Sequence, residues 1–304
     1  KDCKKGSEIR AKGERKMSAE AVVTKKKKKI RPSIIVSYVI LTISALLVVI
    51  PFIWFISTSF DYVKSYSLRF PPRLIPEKFS LFNYKMAFTN VPMLKYLKNT
   101  IVVVALSVVL NVLTSTVAGY ALSKGKFVGK GLVLMLVLSN MMVPFESKLL
   151  PIYQIIRTIH LNNTFIGVVL PSVMTNAMYI FFVKTFCDGL PDDLAEAAVV
   201  DGAGILKTYF SVYFPLMKPI IATIVVLDAI NVWNDMLWPM VVLTQQNKYT
   251  VQIGLQIYNS GASGTTHAGT ALALSVISII PLSIVYIFCQ KYIVQSVAFS
   301  GMKQ

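Results

Sequence analysis

Apolar residues along this chain gather into six runs, residues 34–58, 97–122, 131–150, 164–186, 220–243 and 269–291, separated by links that hold most of the charge. A run of about 20 residues, rising about 1.5 Å each as a helix, crosses a hydrocarbon core of roughly 30 Å. The pattern predicts an all-α polytopic membrane protein with six transmembrane helices. An even number of crossings returns both termini to one side. The run Lys25 to Lys29 and Arg31 abut the first apolar run, and Lys124, Lys126 and Lys130 crowd the link between the second and third. Short basic clusters beside spans mark the cytoplasmic side, so both termini are expected there. The first external link opposes this with Lys64, Arg69, Arg73, Lys78, Lys85 and Lys95, but long loops weigh less in setting orientation. Its FPPRLIP stretch, residues 70–76, holds prolines that favour extended or turned backbone and suit a cap or docking surface.

Composition agrees with the pattern. Of 304 residues, 55% are hydrophobic and 15% charged, and the mean hydropathy is +0.61, too apolar for an ordinary soluble domain. The formal net charge of +17 is concentrated in residues 1–33, a basic cytoplasmic tail; residues 34–304 read as one transmembrane domain without internal repeats. Lysines beside a membrane favour anionic lipid by about 1 kcal/mol each. No interleaved aromatics or recognition motif accompany them, so nucleic acid is not an implied partner. The first run is too long for a signal-peptide core and no small-residue cleavage site follows it, which makes it a retained span. Cys3, Cys187 and Cys289 are scattered, without the spacing of a disulfide framework or a metal cluster. Back-translation of Lys12-Gly13-Glu14 allows the purine string AAGGAGA just upstream of Met17, so the natural start is expected at Met17. Peptides preceding Met17 in the mass spectrum of natively expressed protein would overturn this.

One link is unlike the others. Residues 188–218 form the longest cytoplasmic link, and within it lies EAAVVDGAG, residues 196–204. Pro191 suits a first helical turn, with Asp192 and Asp193 at the positive end of the helix dipole. Leu194, Ala197 and Ala198 then share a face small enough for another surface to approach closely. Gly202 and Gly204 break the helix. A second short amphipathic helix over 205–214 is expected to end at Pro215 and lead through Pro219 into the fifth run. The result is a compact helix-turn-helix projecting from the membrane.

DDLAEAAVVDGAG followed by FSVYFPLMKP closely resembles the EAA signature of permease subunits in binding-protein-dependent ABC importers. TSFDYVKSYSLRFPPRLIPEKFSLFNY, GYALSKGKFVGK, PIYQIIRTIHLNNT, VWNDMLWP and FCQKYIV follow in the order found in the carbohydrate-uptake branch, the maltose-type second permease. The resemblance covers nearly the whole chain from about Ile34; the departure is QSVAFSGMKQ at the end, where the family is usually glycine-rich. It implies a type I importer permease fold whose cytoplasmic coupling helix docks into a cleft on a separate ATPase subunit. Glu196, Ala197, Ala198, Asp201, Gly202, Ala203 and Pro215 would form that joint. The implied partners are a second, different permease, a cytoplasmic ATPase dimer and an extracytoplasmic sugar-binding protein docking on the external links 60–96 and 244–268. The implied location is the bacterial cytoplasmic membrane. ATP and magnesium would sit on the ATPase partners, with no cofactor in this chain.

The chain itself carries no catalytic pattern. A phosphate-binding loop needs G-x-x-x-x-G-K followed by Ser or Thr; the nearest string, GKFVGKG at 125–131, fails in spacing and places Gly131 where the hydroxyl belongs. His160 and His267 fall on separate external segments, and no nucleophile-base pair is visible.

Charge inside a membrane is costly and usually faces the protein interior or a water-filled path. On a continuous helix turning about 100° per residue, Asp228, Asn231, Asp235 and Trp238 fall within an arc of roughly 80°. Carboxylates and amides bond to hydroxyls while an aromatic face covers the C–H surface of a sugar ring. The stripe is therefore a candidate substrate path, or else a set of contacts holding neighbouring helices together. Trp233 and Asn234 point off this face and are expected to pack against neighbouring spans. Asn111, Thr114, Ser115 and Asn140 are further lining candidates. The function these features imply is that of a permease subunit in an ATP-driven importer of a sugar or oligosaccharide. An importer of a non-sugar solute, an ion-coupled carrier and a non-transporting scaffold are the alternatives.

Overall fold

The computed structural model describes residues 32–62, 74–261 and 267–301, without the side chains of 32–34, 289 and 291–301. The lysine run, the expected start at Met17, Cys3, residues 63–73 of the first external link and the last three residues lie outside the described residues. Among the described residues the chain is almost wholly helical, with one isolated bridge between Asp61 and Phe79. Three helices are long and apolar enough to cross a membrane by themselves: α1 (Pro32–Ser59), α3 (Met93–Lys124) and α14 (Ala268–Gly301). Helix α2 (Phe82–Asn90) precedes α3.

The remaining expected spans are interrupted. Helix α4 (Lys130–Ser139) and its 3₁₀ turn Asn140–Met142 meet α5 (Phe145–Thr158) at a bend of 107°. The cause is Pro144, whose ring excludes helical backbone at the preceding residue; Val143 is extended, at φ −94° and ψ 115°. Residues 131–150 are thus not one straight helix, because the proline sits in the middle of the run. Helices α6 (Phe165–Met174) and α7 (Ala177–Asp188) are bent by 47° at Thr175-Asn176, and the Asn176 side chain accepts from the Tyr179 amide to start α7 afresh. The fifth run also breaks. Helix α11 (Lys218–Asn234) ends at Asp235, which is extended at ψ 120° and accepts from the Trp238 amide at 3.3 Å at the start of α12 (Leu237–Val242).

The link over residues 188–218 holds α8 (Asp193–Val200), α9 (Ile205–Thr208), a π turn at Tyr209–Tyr213 and α10 (Phe214–Leu216). Pro215 therefore lies inside a helical stretch instead of ending one. Proline has no amide to donate and its ring crowds the preceding turn, and the turn before it is a π turn, a form found mostly as single-turn bulges inside α-helices. Helix α13 (Val251–Asn259) lies in the last link, between α12 and α14.

The chain divides into a unit ending at Phe52 and one running from Ile53 to Gln304. In the first, the described part of α1 exposes every side chain from Ile35 to Phe52. In the second, α3 is the central helix, packed against α6, α7 and α11. Its polarity is inverted relative to a soluble helix: Thr100, Ser107, Asn111, Ser115 and Thr116 are buried, while Ile101, Val102, Val109, Leu113 and Val117 are exposed. Apolar residues outward and hydrogen-bonding ones inward is the arrangement a hydrocarbon solvent favours. The α3–α7 contact is close because Gly119 has no side chain; a Cβ there would lie 2.5 Å from the Val183 Cβ.

Candidate functional site

The interior polar residues of α3 converge on the single buried carboxylate of α11. Asp228 is 3% exposed. Ser107 Oγ donates to its Oδ2 at 2.9 Å and Asn111 Nδ2 to its Oδ1 at 2.9 Å. Asn176, at the break between α6 and α7, donates to Asn111 Oδ1 at 2.6 Å. Asn231, one turn beyond Asp228, donates to the Tyr179 hydroxyl at 3.2 Å. Three helices and a helix break are joined by neutral donors around one carboxylate. An ionised group away from water is tolerable only when its oxygens are satisfied in this way.

This network forms one wall of a cavity of about 690 Å³. Asn140 and Val143 line it at the α4–α5 break, Thr175 and Asn176 at the α6–α7 break, and Asn234 and Asp235 at the α11–α12 break. All three interruptions therefore open onto one space. Asn140 donates across it to the Thr175 carbonyl at 2.9 Å, and Lys148 donates to Asn140 Oδ1 at 3.0 Å. Glu146 and Tyr179 complete the polar lining, while Val168, Trp238 and Pro239 are part of the apolar wall.

The sequence-derived stripe is placed unevenly. Asn231 is exposed and Asp235 half-buried, both on the cavity. Asp228 is held by its partners behind them. Trp238 is 2% exposed; its indole donates to the Val168 carbonyl at 3.0 Å and its ring meets the edge of Phe145 at 5.9 Å. Because α11 ends at Asn234, the face computed for a continuous helix does not extend to Asp235 and Trp238. For the same reason Asn234 is exposed and lines the cavity, whereas Trp233 is buried and donates to the Ser278 carbonyl at 3.1 Å. Asn111 and Asn140 take part in the network and the lining; Thr114 and Ser115 bond to carbonyls of their own helix. Ser107, Asn176, Tyr179 and Lys148 were missed in the sequence. Their signal was the one that singled out Asp228: a polar side chain inside an apolar run.

The second region is the link over residues 188–218. Glu196, Ala197, Asp201, Gly202 and Pro215 are exposed and Ala203 is half-buried; Ala198 is the one buried residue of α8. Val199, Val200, Ile205, Leu206 and Phe210 are exposed as well, so the tip of this link presents apolar side chains. Gly202 turns the chain with φ +73°, a left-handed conformation that glycine adopts without strain. Behind α8, Lys124 donates to Asp192 Oδ1 at 2.5 Å. Its hydrogen bond and charge hold the Asp192 carboxyl below the usual carboxylate range.

Known proteins resemble this chain in sequence and fold. A family described as "Binding-protein-dependent transport system inner membrane component" matches residues 28–299. The arabinooligosaccharides transport system permease protein AraQ of Halalkalibacterium halodurans is 34% identical over 75% of this chain and 81% of its own. The trehalose/maltose transport system permease protein MalG of Thermococcus litoralis is 32% identical over 87% and 96%. A chain from the crystal structure of a bacterial ABC transporter involved in the import of the acidic polysaccharide alginate superimposes with a TM-score of 0.75 at 27% identity, covering 88% of this chain and 98% of that one.

Proposed function

The chain belongs to the family of binding-protein-dependent transport system inner membrane components, and on that premise we propose that it is the permease subunit of an ATP-driven importer carrying a sugar or oligosaccharide. It is a multi-pass membrane protein. Six crossings result if α4 with α5, α6 with α7, and α11 with the helical stretch Ile205–Leu216 that meets it at 73° each count as one span beside α1, α3 and α14, with both termini cytoplasmic. The observation that carries the reading is the cavity of about 690 Å³ onto which three interrupted helices open. Interrupted helices supply free backbone groups at membrane depth, which continuous helices do not.

Asn231, Asp235 and Asn234 face the solute in this reading, with Asp228 and Trp238 holding the wall behind them. A hydrated sugar exchanges water for these amides and the carboxylate while crossing. Helix α8 and the turn at Gly202 form the joint with a separate ATPase, which hydrolyses ATP; the exposed apolar residues at the tip are the contact. A second permease completes the pathway and an extracytoplasmic binding protein delivers the solute to the external links.

Gentle solubilisation from native membranes, affinity purification and mass spectrometry test this directly. An ATPase subunit and a second permease are expected with the unsubstituted chain. Proline is incompatible with the positive φ of Gly202 and would remove its amide bond to Val199, so Gly202→Pro is expected to lose the ATPase and keep the second permease. Recovery of the chain alone in both cases would refute the importer reading.

A further inference from the structure

Lys124, the last residue of α3, occupies a position that neither the substrate path nor the exposed joint explains. Its side chain is only 11% exposed although it carries a full charge. The ammonium donates to the Leu190 carbonyl at 2.8 Å and to Asp192 Oδ1 at 2.5 Å, and lies 6.0 Å from the centre of the Tyr213 ring. Leu190 and Asp192 flank Pro191 and form the elbow from which α8 departs. Around it, Ser123 Oγ donates to Asp188 Oδ1 at 2.6 Å, Lys184 Nζ donates to Asp188 Oδ2 at 2.6 Å, and Lys130 donates to the Ser123 carbonyl at 2.6 Å. A lysine serving only as an orientation signal needs no such partners, since any exposed cation beside a span does that.

We propose that Lys124 is a positioning residue that clamps the α8 elbow to the end of α3, so that displacement of α8 reaches the cavity wall through α3. The proposal rests on the reading of α8 as the joint with the ATPase. Helix α8 is otherwise held by a small apolar contact, buried Ala198 and half-buried Ala195, the latter packed against the cluster around Tyr209 and Tyr213. Helix α3, by contrast, is unbroken over 32 residues and contains no proline. Asn111 and Ser107 lie 13 and 17 residues before Lys124 on that helix, about 20 and 26 Å along its axis, and both bond to Asp228. A rod fastened at one end to the moving joint and at the other to the polar wall moves both together. The ring of Tyr213 places the π turn of the same link under the clamp.

The test uses the importer assembled with its partner subunits in membrane vesicles. The chain carries Asn231→Cys as a reporter on the cavity, with Cys3 and Cys289 replaced by serine, and is labelled with a membrane-impermeant maleimide with and without ATP and vanadate. Unsubstituted at the clamp, it shows a labelling rate that depends on nucleotide. Lys124→Met is expected to lower that ratio roughly tenfold toward unity through loss of both charge-assisted bonds, while the bound ATPase and its basal hydrolysis persist. Lys124→Arg, which retains charge and donors, should keep the response. Asp192 is 80% exposed on its side chain, so Asp192→Asn spares folding and is expected to lower the ratio about two- to fivefold. A full nucleotide response in Lys124→Met overturns the proposal; should that variant fail to assemble, a full response in Asp192→Asn does so. No nucleotide response in the unsubstituted chain, or no bound ATPase, removes the reading of α8 itself and is distinguishable from either result.

Discussion

Asp228 sits where a carboxylate is least at home, and the residues around it account for its presence. Each oxygen has a neutral donor, Ser107 or Asn111, and Asn111 is in turn oriented by Asn176. Removing one donor leaves an acceptor buried without a partner, which costs roughly 1–3 kcal/mol. Asn111→Leu is therefore expected to lower the thermal unfolding midpoint of the detergent-solubilised protein, whereas Asn231→Ala, whose side chain is exposed, should leave it nearly unchanged and reduce solute uptake. An unchanged midpoint in Asn111→Leu would show that the network does not hold the helices together. Asp192 behaves differently because it is outside the membrane. Lys124 first, then the charge of Lys126, hold its carboxyl below the usual range against the repulsion of Asp188. A lowered folded-state value means that the stabilisation is present above the unfolded value and is lost as pH falls through the folded one. The clamp should thus be insensitive to pH across the neutral range and weaken only below about pH 4, which nucleotide-dependent labelling at a series of pH values checks.

At the level of elements, breaks and close approaches decide what each helix does. Pro144 turns what would be a third straight span into α4 and α5, and Asn140 and Glu146 come to line the cavity because of that turn. Pro144→Ala removes the constraint on Val143, and the expected result is impaired uptake with assembly retained, read by transport and co-purification together. Gly119 marks the opposite case, where a helix must not be interrupted or widened. A Cβ would meet Val183 at 2.5 Å and the Ile180 carbonyl at 3.0 Å. Gly119→Leu is expected to push α3 from α7 and destabilise the protein by about 1–3 kcal/mol, visible as a lower unfolding midpoint. Helix α3 is also stitched at its other end, where Asn99 donates to the Asn247 and Tyr249 carbonyls and the Val251 amide donates to Thr100. A straight helix held at both ends is suited to carry displacement along its length.

On the scale of the whole molecule, the described surface is unlike that of a soluble protein. Side chains from Ile35 to Phe52 are exposed, as are Val102, Val109 and Val117 of α3 and the apolar face of α14 at Ile280, Ile284 and Ile287. Such faces are stable against lipid or another apolar helix and would aggregate in water. The same inversion explains why polar residues collect inside, around a space large enough for a solute. Energy must then come from elsewhere: vesicles holding the complete importer should take up solute with ATP inside and fail with an ion gradient alone. Uptake driven by the gradient without ATP would assign the chain to a different class of carrier.

Much of this was legible in the chain because solvent acts on each residue independently. A run of about 20 apolar residues has to be helical and in the membrane wherever it packs, so the number and place of the runs could be read from hydropathy, and the EAAVVDGAG stretch named the family. Local rules also marked Gly202 as a helix break, whereas Pro144 went unread inside an apolar run. What local rules could not supply is which residues meet. Ser107, Asn111, Asn176 and Asp228 lie up to 121 residues apart, and Lys124 lies 68 residues from Asp192. Those encounters depend on how the helices cross and where they break. Only the tertiary structure separates Asp228 and Trp238, which hold the wall, from Asn231 and Asp235, which face the space, because a period of 3.6 residues places side chains on a face of one helix and carries no information about what stands opposite it.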